Sequence, residues 1–129
     1  MSLRFVQWTI DVVDVEGMAA FWSAALGYQI DQGDDGCAKL YPPAGSSDLL
    51  PTVWLQNTGT RKGEKNHNHP DLRPADGDVE AEVQRVIALG ARQVDVGQTA
   101  SDPFVVLADP EGNEFCVLRR DPSRAPARR

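Results

Sequence analysis

Apolar residues recur along this chain with two different periods. From residue 15 to 26 they fall at Val15, Met18, Trp22 and Ala25/Leu26, one stripe of a helix. Asp14 stands where an N-cap is wanted, and Gly27 stops the run. Residues 79–89 repeat the arrangement with Val79, Val83, Val86 and Ile87, bounded by Asp78 and Gly90, and with Glu80, Glu82, Gln84 and Arg85 on the wet face. Elsewhere the period is two, which predicts strands over 4–12, 28–32, 37–41, 52–56, 68–73, 92–96, 104–108 and 114–118.

The resulting order is βαβββ, twice. Leu-Gly ends the first helical run at 26–27 and the second at 89–90, while Asp14 and Asp76 follow the two opening strands. These markers lie 63 and 62 residues apart, so the chain reads as a tandem repeat. Residues 1–120 are expected to form one domain: module one over 3–57, a polar linker over 58–66 and module two over 67–119. An Arg-rich tail at 121–129 is expected to be flexible and solvated.

Strand alternation sorts the side chains. Val6, Trp8, Ile10 and Val12 should face the first helix, as should Val53 and Leu55, while Phe115 and Val117 should face the second. The opposite faces then collect Gln7, Thr9, Thr52 and Trp54 from module one, and His69, Asp71, Arg73, Glu114 and Cys116 from module two. A carboxylate opening the apolar strand 114–118 needs a solvated position or a partner. The D-P-E-G-N turn at 109–113 reads as structural, setting Glu114 at its exit.

The net charge of −6 argues against a general nucleic-acid or anionic-membrane binder. No apolar run is long enough to span a membrane. The opening residues MSLRFVQWTI lack a basic segment followed by an apolar one, so no secretory leader is expected. Cys37 and Cys116 lie in separate strands without metal spacing and read as two buried thiols of a cytoplasmic protein.

With Asp14 and A-A-F-W-S-A-A-L-G (19–27), K-N-H-N-H-P-D-L-R-P (65–74), A-L-G-A (88–91) and V-L-A-D-P-E-G-N-E-F-C-V-L (106–118), the chain resembles the glyoxalase/bleomycin-resistance/dioxygenase superfamily, the vicinal-oxygen-chelate fold. It is similar to the short glyoxalase-like members. The resemblance implies an α+β fold, two βαβββ modules forming a cupped, partly open mixed sheet around a small-molecule site, and a homodimer. In metal-dependent members that site holds a divalent ion, which here would be Zn, Ni, Fe or Mn on Gln7, His69 and Glu114, with Glu114 exchanging a substrate proton. The alternative is that His69 and Glu114 are a buried pair bonded to each other and to Gln7. The superfamily's fourth ligand, an acid, falls on Thr52, or on nearby Trp54 if the register slips.

Two readings follow: a metal-dependent lyase or isomerase of an oxygenated metabolite, or a metal-free protein that sequesters a planar ligand against Trp54. With one acid in place of two, glyoxalase I itself is not expected. Asp71 and Arg73 either bind a substrate carboxylate or phosphate or pair with each other, and Thr9 shares their open face. His67 reads as a solvated residue at the end of the linker.

Overall fold

A computed structural model describes residues 2–33, 35–95 and 97–122. Its elements are β1 (Gln7–Val12), α1 (Val15–Leu26), β2 (Gln29–Gln32), β3 (Ala38–Tyr41), β4 (Thr52–Asn57), β5 (Asp71–Leu72), α2 (Val79–Leu89), β6 (Arg92–Gln93), β7 (Phe104–Ala108) and β8 (Glu114–Leu118). The repeat is borne out. Two four-stranded sheets have the equivalent orders β1-β4-β3-β2 and β5-β8-β7-β6, and in each the opening strand runs parallel to the closing one.

The repeat extends to single residues. Thr9 pairs with Trp54 across β1 and β4, and Asp71 pairs with Cys116 across β5 and β8. Each member of the second pair lies 62 residues beyond its counterpart in the first.

Both helices begin with a buttressed backbone N–H. Asp14 accepts from the amide of Gly17 at 3.0 Å, and Asp78 accepts from that of Ala81 at 3.1 Å. Asp76, the sequence counterpart of Asp14, instead accepts from the amide of Asp78 at 3.2 Å, one step outside the helix. Gly27 ends α1 at φ +72°, a left-handed conformation that costs glycine little, and donates its N–H to Ser23 at 2.8 Å.

Five of the expected strands are shorter, 28–32 and 37–41 by one residue each and three others by more. Strand 68–73 contracts to Asp71–Leu72, because Pro70 and Pro74 cannot donate to a ladder. Strand 4–12 starts only at Gln7, leaving Phe5 71% and Val6 54% exposed, so Val6 does not reach the helix side. Strand 92–96 is Arg92–Gln93, and Val96 lies outside the described residues, as does the tail from 123. Cys37 precedes β3 and is half-buried, whereas Cys116 is buried.

The core joins the modules through Trp22. Its ring lies 5.0 Å from each of Trp8, Phe21 and Phe115 in edge-on contacts, so residues of both modules meet on one indole. Val12, Leu40 and Leu55 pack beneath α1, and Val83, Val86 and Leu107 belong to the same cluster. The Trp22 Nε1–H donates at 3.0 Å to Asp109, a carboxylate only 1% exposed.

Asp109 also accepts from the backbone of Glu111 and from the backbone and side chain of Asn113, so the 109–113 turn is locked onto the hub. Burial raises its pKa, against the lowering influence of those hydrogen bonds. Module two also holds α1 at both ends. The Glu111 carboxylate accepts from the backbone N–H groups of Val13 and Asp14 at 2.7–3.1 Å. Arg85 donates to the carbonyls of Ala24 and Ala25 at 3.0 Å, supplying the cation that the last turn of α1 lacks.

Candidate functional site

The open face of sheet two carries the ionisable chemistry. His69 precedes β5, Asp71 lies on it, and Glu114 and Cys116 alternate onto the same face of β8. All four border a crevice of about 370 Å³, floored by Phe104, Val106 and Leu118 and flanked by Lys65. The β5–β8 pairing sets Asp71 opposite Cys116, and the Cys116 N–H donates to the Pro70 carbonyl at 3.0 Å. The short β5 is therefore held in register where its prolines break the ladder.

Glu114 has its partners in the linker. Its Oε2 lies 2.9 Å from the Lys62 ammonium, and its Oε1 accepts from the Asn66 amide at 2.8 Å. The Asn66 side chain returns an acceptor to the Glu114 N–H at 3.2 Å, so linker and strand clasp reciprocally. Burial would raise the Glu114 pKa, but the bonds from Lys62 and Asn66 outweigh it and hold the carboxyl below its usual range. The carboxylate is thus ionised and already neutralised at pH 7.

His69 Nε2 lies 3.3 Å from an Asp71 carboxylate oxygen. The Cys116 thiol is pushed up to about 11, by burial first and then by the Asp71 carboxylate beside it. One donor atom each from His69, Asp71 and Cys116 falls within a 4.8 Å spread, the His/Cys/Asp/Glu group with metal-binding spacing among the described residues.

Other site residues expected from the sequence lie elsewhere. Gln7 accepts from the Thr52 hydroxyl at 2.8 Å and lines neither the 370 Å³ crevice nor the two crevices bordering it. Of Gln7, His69 and Glu114, only His69 and Glu114 border the 370 Å³ crevice. Nor does that set suit a hard divalent cation. It comprises a neutral amide already bonded, an imidazole, and a carboxylate already paired with an ammonium.

Arg73 does not pair with Asp71. It bonds Asp121 at 3.0 Å and the Leu118 carbonyl at 2.8 Å. Trp54 is half-buried on β4 between Thr9 and Lys39, away from the module-two crevice. Thr9 and the exposed His67 border a second cavity of about 620 Å³ between β1 and the linker, and Glu114 reaches that cavity too.

Sequence reasoning missed Lys62, Asn66 and Cys116 as parts of this site. Lys62 and Asn66 sit in an aperiodic linker that gives no indication of which strand it will cross. Cys116 did carry a signal: it alternates onto the same face as Glu114.

The glyoxalase-like domain family matches residues 7–118, and the chain belongs to it. No curated protein matches the sequence significantly. Among solved structures, the chain is similar to the fosfomycin resistance protein FosX of Mesorhizobium loti, at 17% identity and TM-score 0.70, with 94% of each chain covered. It is also similar to a mutant FosX of Listeria monocytogenes complexed with Mn(II) and 1S,2S-dihydroxypropylphosphonic acid, at 16% identity and TM-score 0.71, covering 92% of this chain and 91% of that one. The hypothetical protein SA1046 of S. aureus matches at 24% identity and TM-score 0.61, over 92% and 96% of the two chains. At these identities the likeness establishes the vicinal-oxygen-chelate fold.

Proposed function

We propose that this chain is a cytoplasmic enzyme that binds a small oxygenated metabolite in the module-two crevice and acts on it as a lyase or isomerase. The observation that carries the reading is Glu114, held by Lys62 behind it, opening beside His69 onto a crevice with an apolar floor. Glu114, kept ionised by Lys62 and Asn66, is in the form that accepts a proton from a substrate carbon. Lys65 on the crevice wall supplies positive charge where an oxyanion would develop, and His69 supplies a second polar contact. Phe104, Val106 and Leu118 reduce the water around those charges.

A second reading, sequestration without turnover, is favoured by the same ion pair, because a carboxylate already matched by an ammonium can serve binding alone. Both readings are tested by titrating 2-oxoaldehydes and vicinal diols, with binding followed calorimetrically and conversion by NMR. Saturable binding that is lost in Glu114→Gln is expected. Conversion makes the protein an enzyme, binding without conversion makes it a sequestering protein, and no binding sinks both readings. We also propose a homodimer. Exposed Phe5 and Leu50 border an apolar cleft of about 730 Å³ between the modules, which a second copy would cover. Sedimentation at micromolar concentration checks this.

A further inference from the structure

We propose that His69, Asp71 and Cys116 form a binding site for a borderline-soft divalent cation, zinc or cobalt, displaced from the Gln7–His69–Glu114 set that the superfamily resemblance implied. The inference rests on reading the module-two crevice as the functional site, but cation binding is measurable without any substrate.

The strand register makes the argument. Asp71 and Cys116 are direct neighbours across β5 and β8, and His69, two residues before Asp71, borders the same crevice. Their donor atoms already lie within 4.8 Å of one another. Around a tetrahedral zinc, neighbouring donors stand about 3.3–3.8 Å apart, as bond lengths near 2.0–2.3 Å require. Closing the difference asks for side-chain movement of about 1 Å, and the two residues that must move are the more exposed ones. The side chains of His69 and Asp71 are 38% and 50% exposed, while Cys116 is anchored in the sheet at 6%.

The donor chemistry selects the cation. One imidazole nitrogen, one carboxylate oxygen and one sulfur suit zinc or cobalt, whereas magnesium, calcium and manganese favour all-oxygen or oxygen-rich shells. The charges balance as well. Loss of the thiol proton on binding leaves thiolate and carboxylate against a dication, with neutral His69 as the third donor. The other ionisable groups facing the crevice are Lys65 and Glu114, and Glu114 is already matched by Lys62. Three protein donors leave a coordination position for water or a ligand oxygen, as in catalytic rather than structural zinc sites.

Without a metal, the same three residues are an imidazole–carboxylate contact beside a protonated thiol, so the two states are spectroscopically distinct. The test is a titration of the reduced, tag-free full chain with Co(II) under anaerobic conditions. One equivalent should bring up a thiolate-to-cobalt charge-transfer band with visible bands of tetrahedral cobalt, release one proton, and be displaced by Zn(II). Cys116→Ser should abolish the charge-transfer band, Cys37→Ser should leave it unchanged, and His69→Ala should weaken binding at least about tenfold. Asp71→Asn, at an exposed position, gives the same test if Cys116→Ser fails to fold, and should weaken binding to a similar degree. No cobalt binding, cobalt binding without the thiolate band, or a band that survives Cys116→Ser overturns the site. Metabolite binding by a protein that takes up no cobalt overturns this inference alone, and cobalt uptake by a protein that binds no metabolite overturns only the proposed function.

Discussion

The two modules share a topology and a residue-by-residue register, yet their open faces differ in kind. At matching positions module one presents Gln7, Thr9, Thr52 and Trp54, where module two presents His69, Asp71, Glu114 and Cys116. The first face closes on itself through the Gln7–Thr52 hydrogen bond, while the second places ionisable groups around a crevice. In the interior the roles reverse. Module one contributes the hub, Trp22, and module two contributes Asp109, Glu111 and Arg85, which hold the helix bearing it. One copy of the repeat carries the aromatic hub of the core and the other the ionisable open face. Duplication supplies geometry, and side-chain substitution at matched positions supplies function.

Removing the hub is the severest way to break this division. Trp22→Ala should cost about 3–5 kcal/mol in urea unfolding, since it opens a cavity shared by both modules and frees Asp109 of a partner. A loss under about 1 kcal/mol would mean that the modules do not depend on a common core.

Glu111→Ala should cost about 1 kcal/mol by removing the acceptor for two backbone donors ahead of α1. Helix content should fall in module one while the module-two crevice keeps its ligand or cobalt response. Loss of that response together with the helix would show the two roles to be inseparable.

Acid separates two carboxylates of module two, because their shifts have opposite signs. Glu114 has a lowered folded-state pKa, so its contribution is complete above the ordinary glutamate value of about 4.3 and is lost as pH falls through the lower folded value. Asp109 has a raised one, so its contribution is complete below the ordinary aspartate value and is lost as pH rises through the folded value. Between about pH 6 and pH 3, wild type should therefore lose more stability than Glu114→Gln, by about 1 kcal/mol, read from thermal melts at each pH. Parallel pH profiles would show that Lys62 and Asn66 do not stabilise the ionised form.

The smallest effect is expected on the neutral face. Gln7→Ala should cost about 0.5–1 kcal/mol through the lost Thr52 contact and leave cobalt and ligand binding unchanged. A variant that loses either would return Gln7 to the site and undo the contrast between the faces.

Much of this was readable from the chain alone. Helical and strand periods depend on local spacing, so α1 and α2 emerged at their residue bounds and the doubled βαβββ order followed from punctuation by Asp14, Gly27, Asp78 and Gly90. Alternation put Ile10, Val12, Val53, Leu55, Phe115 and Val117 in the core, because one face of each strand must be apolar when a helix covers it. The same alternation set His69, Asp71, Glu114 and Cys116 on the opposite face. What it could not decide was which of those groups meet. Lys62 and Asn66 reach Glu114 across 52 and 48 residues of chain, and Arg73 turns to Asp121 rather than to Asp71 two positions before it. Those pairings depend on where a linker without periodicity crosses a sheet edge, and on how the packing around Trp22 orients one module against the other. Period and punctuation are properties of neighbours in sequence. The partner of a charge is a property of neighbours in space, and only the tertiary structure supplies it.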